Sequence, residues 1–547
     1  MLCDRFVQAD TRDYASFRQS FKLTPPQNFN FGFDVVDAIA AKTPDALALL
    51  HVDRVGQCRR FSFADIRDQS ARIANMLRRQ GLKKGDTVLL IMRRAYQYWP
   101  LNVALCKLGA VMIPATAQLL PHDISYRCNA ASARFIICAN DPGILAAVEA
   151  ALPDCASVEG LFLAGGSRPG WIDLDAQAAL ESPFYPRRRG KEGTCNADPL
   201  LIYFTSGTTG FPKMAIHDQL YPLGHIATAR YWHTNKPGGL HFTISDTGWA
   251  KAGWGKIYGQ WLCECAVFAY DFDRFDPVKI LEMLQTYRIS TFCAPPTMYR
   301  MLTQNNLAAQ YDLRSITHCC SAGEPLNPEV FQDWKAQTGL SIHEGFGQSE
   351  TTCCLATFPG MELRFGAMGK PVPGYDIQLL DEDGKPVQPG QEGEICIRVD
   401  GRKPLGLFLG YYRDDLATAR AWHDGFYHTG DVATMDATGY FWYVGRKDDL
   451  IKSSGYRIGP FEVESALLEH EAVLEAAITG VPDLIRGQVV KATIVLKDGY
   501  IASDALKKEL QNHVKRTTAP YKYPRLIDFT DALPKTASGK IRRVALR

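Results

Sequence analysis

Residues 205–213, Thr-Ser-Gly-Thr-Thr-Gly-Phe-Pro-Lys, gather the hydroxyls of Thr205, Ser206, Thr208 and Thr209, the glycines Gly207 and Gly210, and the ammonium of Lys213 in one short stretch. Glycine opens backbone conformations closed to other residues, so successive N–H groups can turn toward a single anion. The hydroxyls add donors and Lys213 adds a mobile positive charge. That set suits a polyphosphate. An apolar run, Leu200, Leu201, Ile202, Tyr203 and Phe204, precedes the loop and reads as a buried strand. The loop is not of the Walker type, which puts Gly immediately before Lys and a helix after it. Here Pro212 precedes Lys213, and residues 214–217 read as a second strand. On composition alone the string also fits a Ser/Thr/Gly turn with a solvated lysine.

Four further stretches follow: residues 344–351 (EGFGQSET), 427–431 (YHTGD), 445–457 (GRKDDLIKSSGYR) and 534–540 (PKTASGK). Each is ambiguous alone. Thr429, Gly430 and Asp431 form an ordinary turn sequence, Glu350 could be a surface glutamate, and Lys540 a solvated charge near the C-terminus. Together and in this order they resemble the adenylate-forming superfamily, which contains AMP-forming acyl-CoA synthetases, the adenylation domains of peptide synthetases, and luciferases. The resemblance runs from about Phe29 to the C-terminus.

That resemblance implies three small-molecule partners: ATP, coenzyme A and a carboxylic acid. The acid is first joined to AMP as a mixed anhydride, and the anhydride is then opened by the thiol. Mg²⁺ is the implied metal, on Glu350, because it favours few protein carboxylates plus substrate oxygens. By the same resemblance Lys213 and the loop from Thr205 meet the phosphates, Gly323, Glu324 and Pro325 frame adenine, and the stretch Glu344, Gly345, Phe346, Gly347, Gln348 and Ser349 completes the nucleotide site. Asp431 would take the ribose hydroxyls, and Arg446 would offer a planar fork to the ribose or phosphate edge. A small C-terminal lid would turn about Asp448. In one position it delivers Lys540 to the reacting carboxylate and brings Arg457 to the phosphates; in the other it brings in Ser454, Gly455 and Tyr456, with Gly455 leaving room for the pantetheine arm. Arg486, Lys515 and Arg525 are candidates for the phosphates of coenzyme A, or are ordinary surface charges. The acyl pocket is expected between Trp249, Ala250, Lys251, Trp254, Ala322 and Gly347. Acetate-specific relatives carry tryptophan at the position of Gly347, so glycine is expected to leave the pocket floor open. This makes the medium-chain or branched acyl-CoA synthetases the most similar subgroup. Lys251 either folds out to solvent or meets a polar group on the substrate.

The 547 residues are too many for one core and suggest three or four domain-sized units. Sixty-one basic against fifty-nine acidic residues leave a net charge of +2, which gives no global field for nucleic acid or an anionic membrane. The first residues, Met-Leu-Cys-Asp-Arg-Phe, have an early acid and no apolar core of a secretory signal, and no apolar run is long enough to span a bilayer. Fifteen cysteines without a C-x-x-C pair read as small buried residues in a reducing compartment, and the expected location is cytoplasmic. Short apolar strands alternating with amphipathic helices predict an α/β, multi-lobed fold with predominantly parallel sheets covered by helices. Residues 377–398 read as antiparallel strands of a small β subdomain, and the chain beyond Gly445 as an α+β unit. The expected division is 1–446 for the nucleotide-binding body and 447–547 for the mobile lid. A stand-alone adenylation enzyme loading a carrier protein in trans, an oxidative luciferase and a non-catalytic acyl-nucleotide sensor stay open. So does the oligomeric state, with a homodimer among the options.

Overall fold

The computed structural model describes residues 1–205, 212–401, 403–453, 456–484, 486–535 and 541–546, with Arg457 by its backbone alone. Two large sheets form the body. The first runs in the order Gly410–Tyr411, Lys213–Asp218, Pro199–Thr205, Val111–Pro114, Thr87–Ile91, Phe135–Ala139, Gly160–Ala164, Ile172–Asp173. It is parallel from Pro199–Thr205 onward, while Lys213–Asp218 returns antiparallel with Thr205 opposite Lys213. The helix Phe63–Arg79 starts where Ser62 accepts from the Asp65 N–H and Asp65 reaches back to Ser62, a capping box. Phe63, Ile66, Ile73, Met76 and Leu77 form its buried stripe.

The second sheet has a parallel core, Leu47–Val52, Ala266–Tyr270, Leu240–Thr243, Thr291–Ala294, His318–Ala322 and Ile342–Phe346. The β subdomain expected over residues 377–398 is not a separate sheet. Its antiparallel strands Ile377–Leu380, Glu392–Arg398, Phe426–Met435 and Phe441–Arg446 join the parallel core through Ala367–Pro371 and Leu355–Ala356. Gly369 makes the join possible. It lies at φ +94° at a register shift, and a Cβ there would fall 2.1 Å from the Ala356 carbonyl carbon. The strand Thr291–Ala294 begins shortly after Arg288, which turns the chain at φ +49°.

Beyond Arg446 a five-stranded sheet pairs Tyr456–Ile458, Ile451–Ser453, Gly487–Leu496 and Val473–Asp483, with Leu526–Phe529 parallel to Gly487–Leu496. The helices Pro460–Leu468 and Asp504–Thr517 pack on it. The second is capped by Ser503 and buries Leu506, Leu510 and Val514, four residues apart on one face. Thirteen cysteines are buried and only Cys58 and Cys195 exposed, with every one free.

Glu344 lies inside the strand Ile342–Phe346, almost wholly buried, and accepts from the Leu326 N–H at 3.3 Å. Burial pushes its carboxyl up to about 8. The folded chain therefore holds a proton that the unfolded chain, with an ordinary value of about 4.3, releases. Stability from this group is full below about pH 4 and is lost as pH rises through about 8. Glu344→Gln keeps the acceptor and removes the titration. Its melting temperature should match wild type near pH 4 and exceed it near pH 8, by an amount worth a few kcal/mol, since each tenfold change in proton affinity corresponds to about 1.4 kcal/mol. A difference independent of pH would contradict this.

Candidate active site

Three strands end at candidate residues: Thr205 closes Pro199–Thr205 of the first sheet, and Ala322 and Phe346 close the adjacent parallel strands His318–Ala322 and Ile342–Phe346 of the second. Ligands of α/β sheets bind outside such carboxyl ends. The two sheets meet here directly, since His217 on the first sheet places Nε2 2.8 Å from the Ser349 carbonyl oxygen in the loop after the second.

On the phosphate-loop side, Ala215 pairs with Tyr411, and this edge strand brings three side chains together. Lys213 Nζ lies 4.8 Å from the centre of the Tyr411 ring, and the Tyr411 hydroxyl donates to Glu350 at 3.0 Å. Glu350 is buried, and burial pushes its carboxyl up. Sequence reasoning missed Tyr411. Its strand is two residues long and carries no periodic pattern, so only sheet register reveals it.

Next to Glu350, Asp431 is the centre of a buried polar cluster. Gln348 Nε2 and the Tyr443 hydroxyl donate to its two oxygens, the latter at 3.1 Å, and Arg446 Nη1 lies 3.4 Å away. Gln348 is itself fixed by Tyr427, whose hydroxyl donates to Oε1 at 2.7 Å, and by its own donation to the Thr429 carbonyl. Arg446 donates to that same carbonyl at 3.0 Å. Gly430, at φ +71°, lets the guanidinium pass, because a Cβ there would fall 2.9 Å from Arg446 Nη2. Phe346 and Tyr443 rings stand 6.3 Å apart beside this cluster. Gly323 is open, since a Cβ placed on it would meet no atom within 4 Å, and Glu324 beside it accepts from the Thr297 hydroxyl at 2.7 Å. Pro325 is half-buried in the same turn. Glu344 and Gly345 differ from the expectation of nucleotide contact. The Glu344 carboxyl accepts from the Leu326 N–H, and a Cβ at Gly345 would fall 2.6 Å from Trp232, so the side chain of one is occupied within the protein and the other has no room for one.

The acyl-pocket candidates are brought together by the helix Ala250–Gly255. Trp249 caps it, half-buried, and Ala250 follows. Gly253 presses on Tyr203, where a Cβ would fall 2.8 Å from the hydroxyl. Lys251 neither folds out to solvent nor stands clear: it is half-buried, and its ammonium donates to the Ala322 carbonyl at 2.7 Å. Gly347 does not leave the floor open. A Cβ there would fall 2.6 Å from Cη2 of Trp254 and 2.4 Å from the Thr352 carbonyl oxygen. The indole that closes this space comes from Trp254, and glycine is required at 347 to admit it.

Ser206, Gly207, Thr208, Thr209, Gly210, Ser454, Gly455 and Lys540 lie outside the described residues, as does the Arg457 side chain. Thr205 is half-buried at its strand end. Tyr456 stacks on Tyr521 with ring centres 4.1 Å apart. Lys515 and Arg525 converge on Tyr523, at 4.0 Å and 4.9 Å from its ring, whereas Arg486 lies at the far hairpin, its N–H donating to Asp483. Asp448 sits 3.5 Å from Arg446 Nε.

A family profile described as "AMP-binding enzyme" matches residues 36–412, and one described as "AMP-binding enzyme C-terminal domain" matches 462–540. The chain is 43% identical over 546 residues to acyl-coenzyme A synthetase ACSM3, mitochondrial, of Homo sapiens, covering 98% of this chain and 92% of that protein. It is 42% identical over 536 residues to acyl-coenzyme A synthetase ACSM4, mitochondrial, of Homo sapiens, covering 95% and 90%. The anthranilate CoA ligase AuaEII in complex with anthranoyl-AMP superposes with a TM-score of 0.87 at 27% identity, over 96% of this chain and 97% of the other. A benzoate CoA ligase from Burkholderia xenovorans LB400 gives 0.82 at 27%, over 95% and 100%. The relatives' names place them in mitochondria, which overturns the cytoplasmic location expected from the N-terminal residues. No described helix is long and apolar enough to cross a membrane. With profiles matched over residues 36–412 and 462–540 and relatives matched over 95–98% of the chain, this chain belongs to the AMP-binding enzyme family as an adenylate-forming acyl-coenzyme A synthetase.

Proposed function

We propose that the protein is an ATP-dependent acid:coenzyme A ligase that acts on a medium-chain, branched or aromatic carboxylic acid in two steps. The acid carboxylate attacks the α-phosphorus of ATP, giving acyl-AMP and pyrophosphate. The thiolate of coenzyme A then attacks the acyl carbon, the bond to AMP breaks, and the thioester leaves. The observation that supports this most is a pair of adjoining clusters: Lys213, Tyr411 and Glu350 in one, Gln348, Asp431 and Arg446 in the other, with Phe408 packed on both Tyr411 and the Tyr427 that holds Gln348. The first suits a triphosphate and the second a ribose. Carrier loading has no comparable support.

Glu350 fits Mg²⁺. It is a buried carboxylate with a neutral hydroxyl donor, in a place where desolvation disfavours its charge, and a divalent cation would reverse that balance. When bound, Mg²⁺ would screen the phosphate charge during displacement. Asp431 would accept from the ribose hydroxyls, Arg446 would hold the nucleotide edge, and the turn Gly323, Glu324 and Pro325 with Phe346 would frame the base. The segment 447–547 would act as the lid, turning about Asp448. Lys540 and Arg457 would serve adenylation, while Ser454, Gly455 and Tyr456, with Arg486, Lys515 and Arg525 as phosphate partners, would serve thioester formation.

The direct test supplies ATP, coenzyme A and a panel of straight, branched and aromatic acids, and follows pyrophosphate and thioester together. Both should appear in equal amounts, and pyrophosphate without thioester in the presence of coenzyme A would overturn the ligase reading. Lys540→Ala should lose acid-dependent pyrophosphate formation, by about a hundredfold or more for loss of a charge-stabilising donor, while still converting supplied acyl-AMP and coenzyme A to thioester. Equal failure of both halves in a folded variant would remove the half-reaction role.

Chain length is tested at Trp254. With its indole against Gly347, Trp254→Ala should raise kcat/KM for acids several methylenes longer relative to the best wild-type acid, each recovered contact being worth about 1–3 kcal/mol. An unchanged ranking would take Trp254 out of the acyl pocket.

A further inference from the structure

One side-chain cluster lies outside the machinery above. The strand Glu392–Arg398 pairs antiparallel with Phe426–Met435, and Cys396 stands directly opposite His428. Glu394, two residues before Cys396, shares its face, and a register shift between them lets the carboxylate reach the same ring. His428 Nδ1 lies 3.3 Å from Glu394 Oε2 and 3.4 Å from Cys396 Sγ. Among the described residues this is the one group of histidine, cysteine and carboxylate donors in which all ligand atoms lie within 4.8 Å of one another.

Those separations have a chemical meaning. Zn²⁺ binds sulfur at about 2.3 Å, imidazole nitrogen at about 2.0 Å and carboxylate oxygen at about 2.0–2.2 Å, tetrahedrally, so its donors stand about 3.3–3.6 Å apart. The Glu394–His428 and Cys396–His428 distances fall in that range before any metal is considered. His423 stacks on His428 at 3.8 Å and 11°, which fixes the plane of the ring. Glu394 also faces a cation already: Lys447 Nζ lies 2.9 Å from the same Oε2, while the Gly430 N–H donates to Oε1 at 2.9 Å. Burial would raise the Glu394 carboxyl, but His428 and Lys447 outweigh it and hold it down to about 2.

We propose that Glu394, Cys396 and His428 form a binding site for a thiophilic divalent cation of the Zn²⁺ class, and that the metal and the Lys447 ammonium exclude one another on Glu394. Three protein donors leave a fourth position for water. Cys396 would bind as the thiolate, so metal uptake releases the thiol proton. Lys447 is the first residue of the segment read above as the lid, and its N–H donates to the Gly430 carbonyl at 2.8 Å. Displacing its ammonium would loosen the junction. That consequence rests on the lid reading, whereas the site itself does not.

The test uses the full chain carrying Cys58→Ser and Cys195→Ser, which removes the exposed thiols. Co²⁺ reports thiolate ligation by its near-ultraviolet charge-transfer absorption, and Zn²⁺ affinity is read by competition with a chromophoric chelator. One equivalent of Co²⁺ should give the band, and Zn²⁺ should erase it. Cys396→Ala should abolish the band and weaken Zn²⁺ binding at least about tenfold. Lys447→Gln, which leaves every donor in place, should tighten Zn²⁺ binding severalfold, so the proposal is testable even if Cys396→Ala fails to fold. A band that survives Cys396→Ala places the metal elsewhere and overturns the site. Zn²⁺ affinity unchanged by Lys447→Gln overturns the exclusion. Thioester assays with and without Zn²⁺ then examine the lid consequence separately.

Discussion

A carboxylate taken out of water is tolerated only where donors replace the water, and the buried Asp431 is the point where this protein meets that demand. Its donors come from separate parts of the chain: Gln348 from the loop after the parallel sheet, Tyr443 and Arg446 from the last strand of the body. Satisfying one buried group therefore fixes the parallel sheet, the antiparallel extension and the chain's exit toward residue 447 relative to one another. The Thr429 carbonyl, shared by Gln348 and Arg446, ties the same three pieces a second time. A network of this kind is rigid because losing any member leaves the others unpaired in a low-dielectric place.

The continuity of the second sheet serves the same end. Had the residues after Ala367 formed an independent subdomain, Asp431 would ride on a separate body. Gly369 instead lets one strand pair on both sides, so the Asp431 cluster and the strand ends belong to one hydrogen-bonded sheet.

The periodic and punctuated features were legible in the sequence. The hairpin around residues 205–213 follows from local residue chemistry and is found, as are amphipathic helices such as Phe63–Arg79. Contacts that depend on which strands meet were not legible. Tyr411 reaches Glu350 only through sheet register, and the sheet join at Gly369 has no local signal. Gly347 shows a subtler limit. A missing side chain reads as open space in one dimension, yet in the fold the space belongs to whichever neighbour grows into it, here Trp254. Lys251 is similar, because its ammonium finds a carbonyl that sequence distance hides.

If the segment beyond 446 turns between two reactions, its ties to the body must be weaker than those inside it, and the ion pairs are distributed that way. Within the segment, Arg543 makes a bidentate pair with the buried Glu464 at 2.8 Å to each oxygen, and Glu464 also accepts from the Ile478 N–H at 2.9 Å. Planar forks with satisfied partners hold geometry well. Across the junction, the Lys447 side chain is 55% exposed where it meets Glu394, and Arg446 and Asp448 are 38% and 37% exposed at 3.5 Å. The Arg446–Asp448 pair, this open to solvent, contributes about 0–1 kcal/mol, whereas Lys447 meets a Glu394 that is only 9% exposed. On that reading a rotation would break the exposed Arg446–Asp448 pair at little cost, while Arg543, three residues beyond Lys540, would travel with the segment and keep its pair with Glu464. If the chain turns at this junction, the buried Arg543–Glu464 pair stays within one body and the exposed Arg446–Asp448 pair lies where the turn would occur.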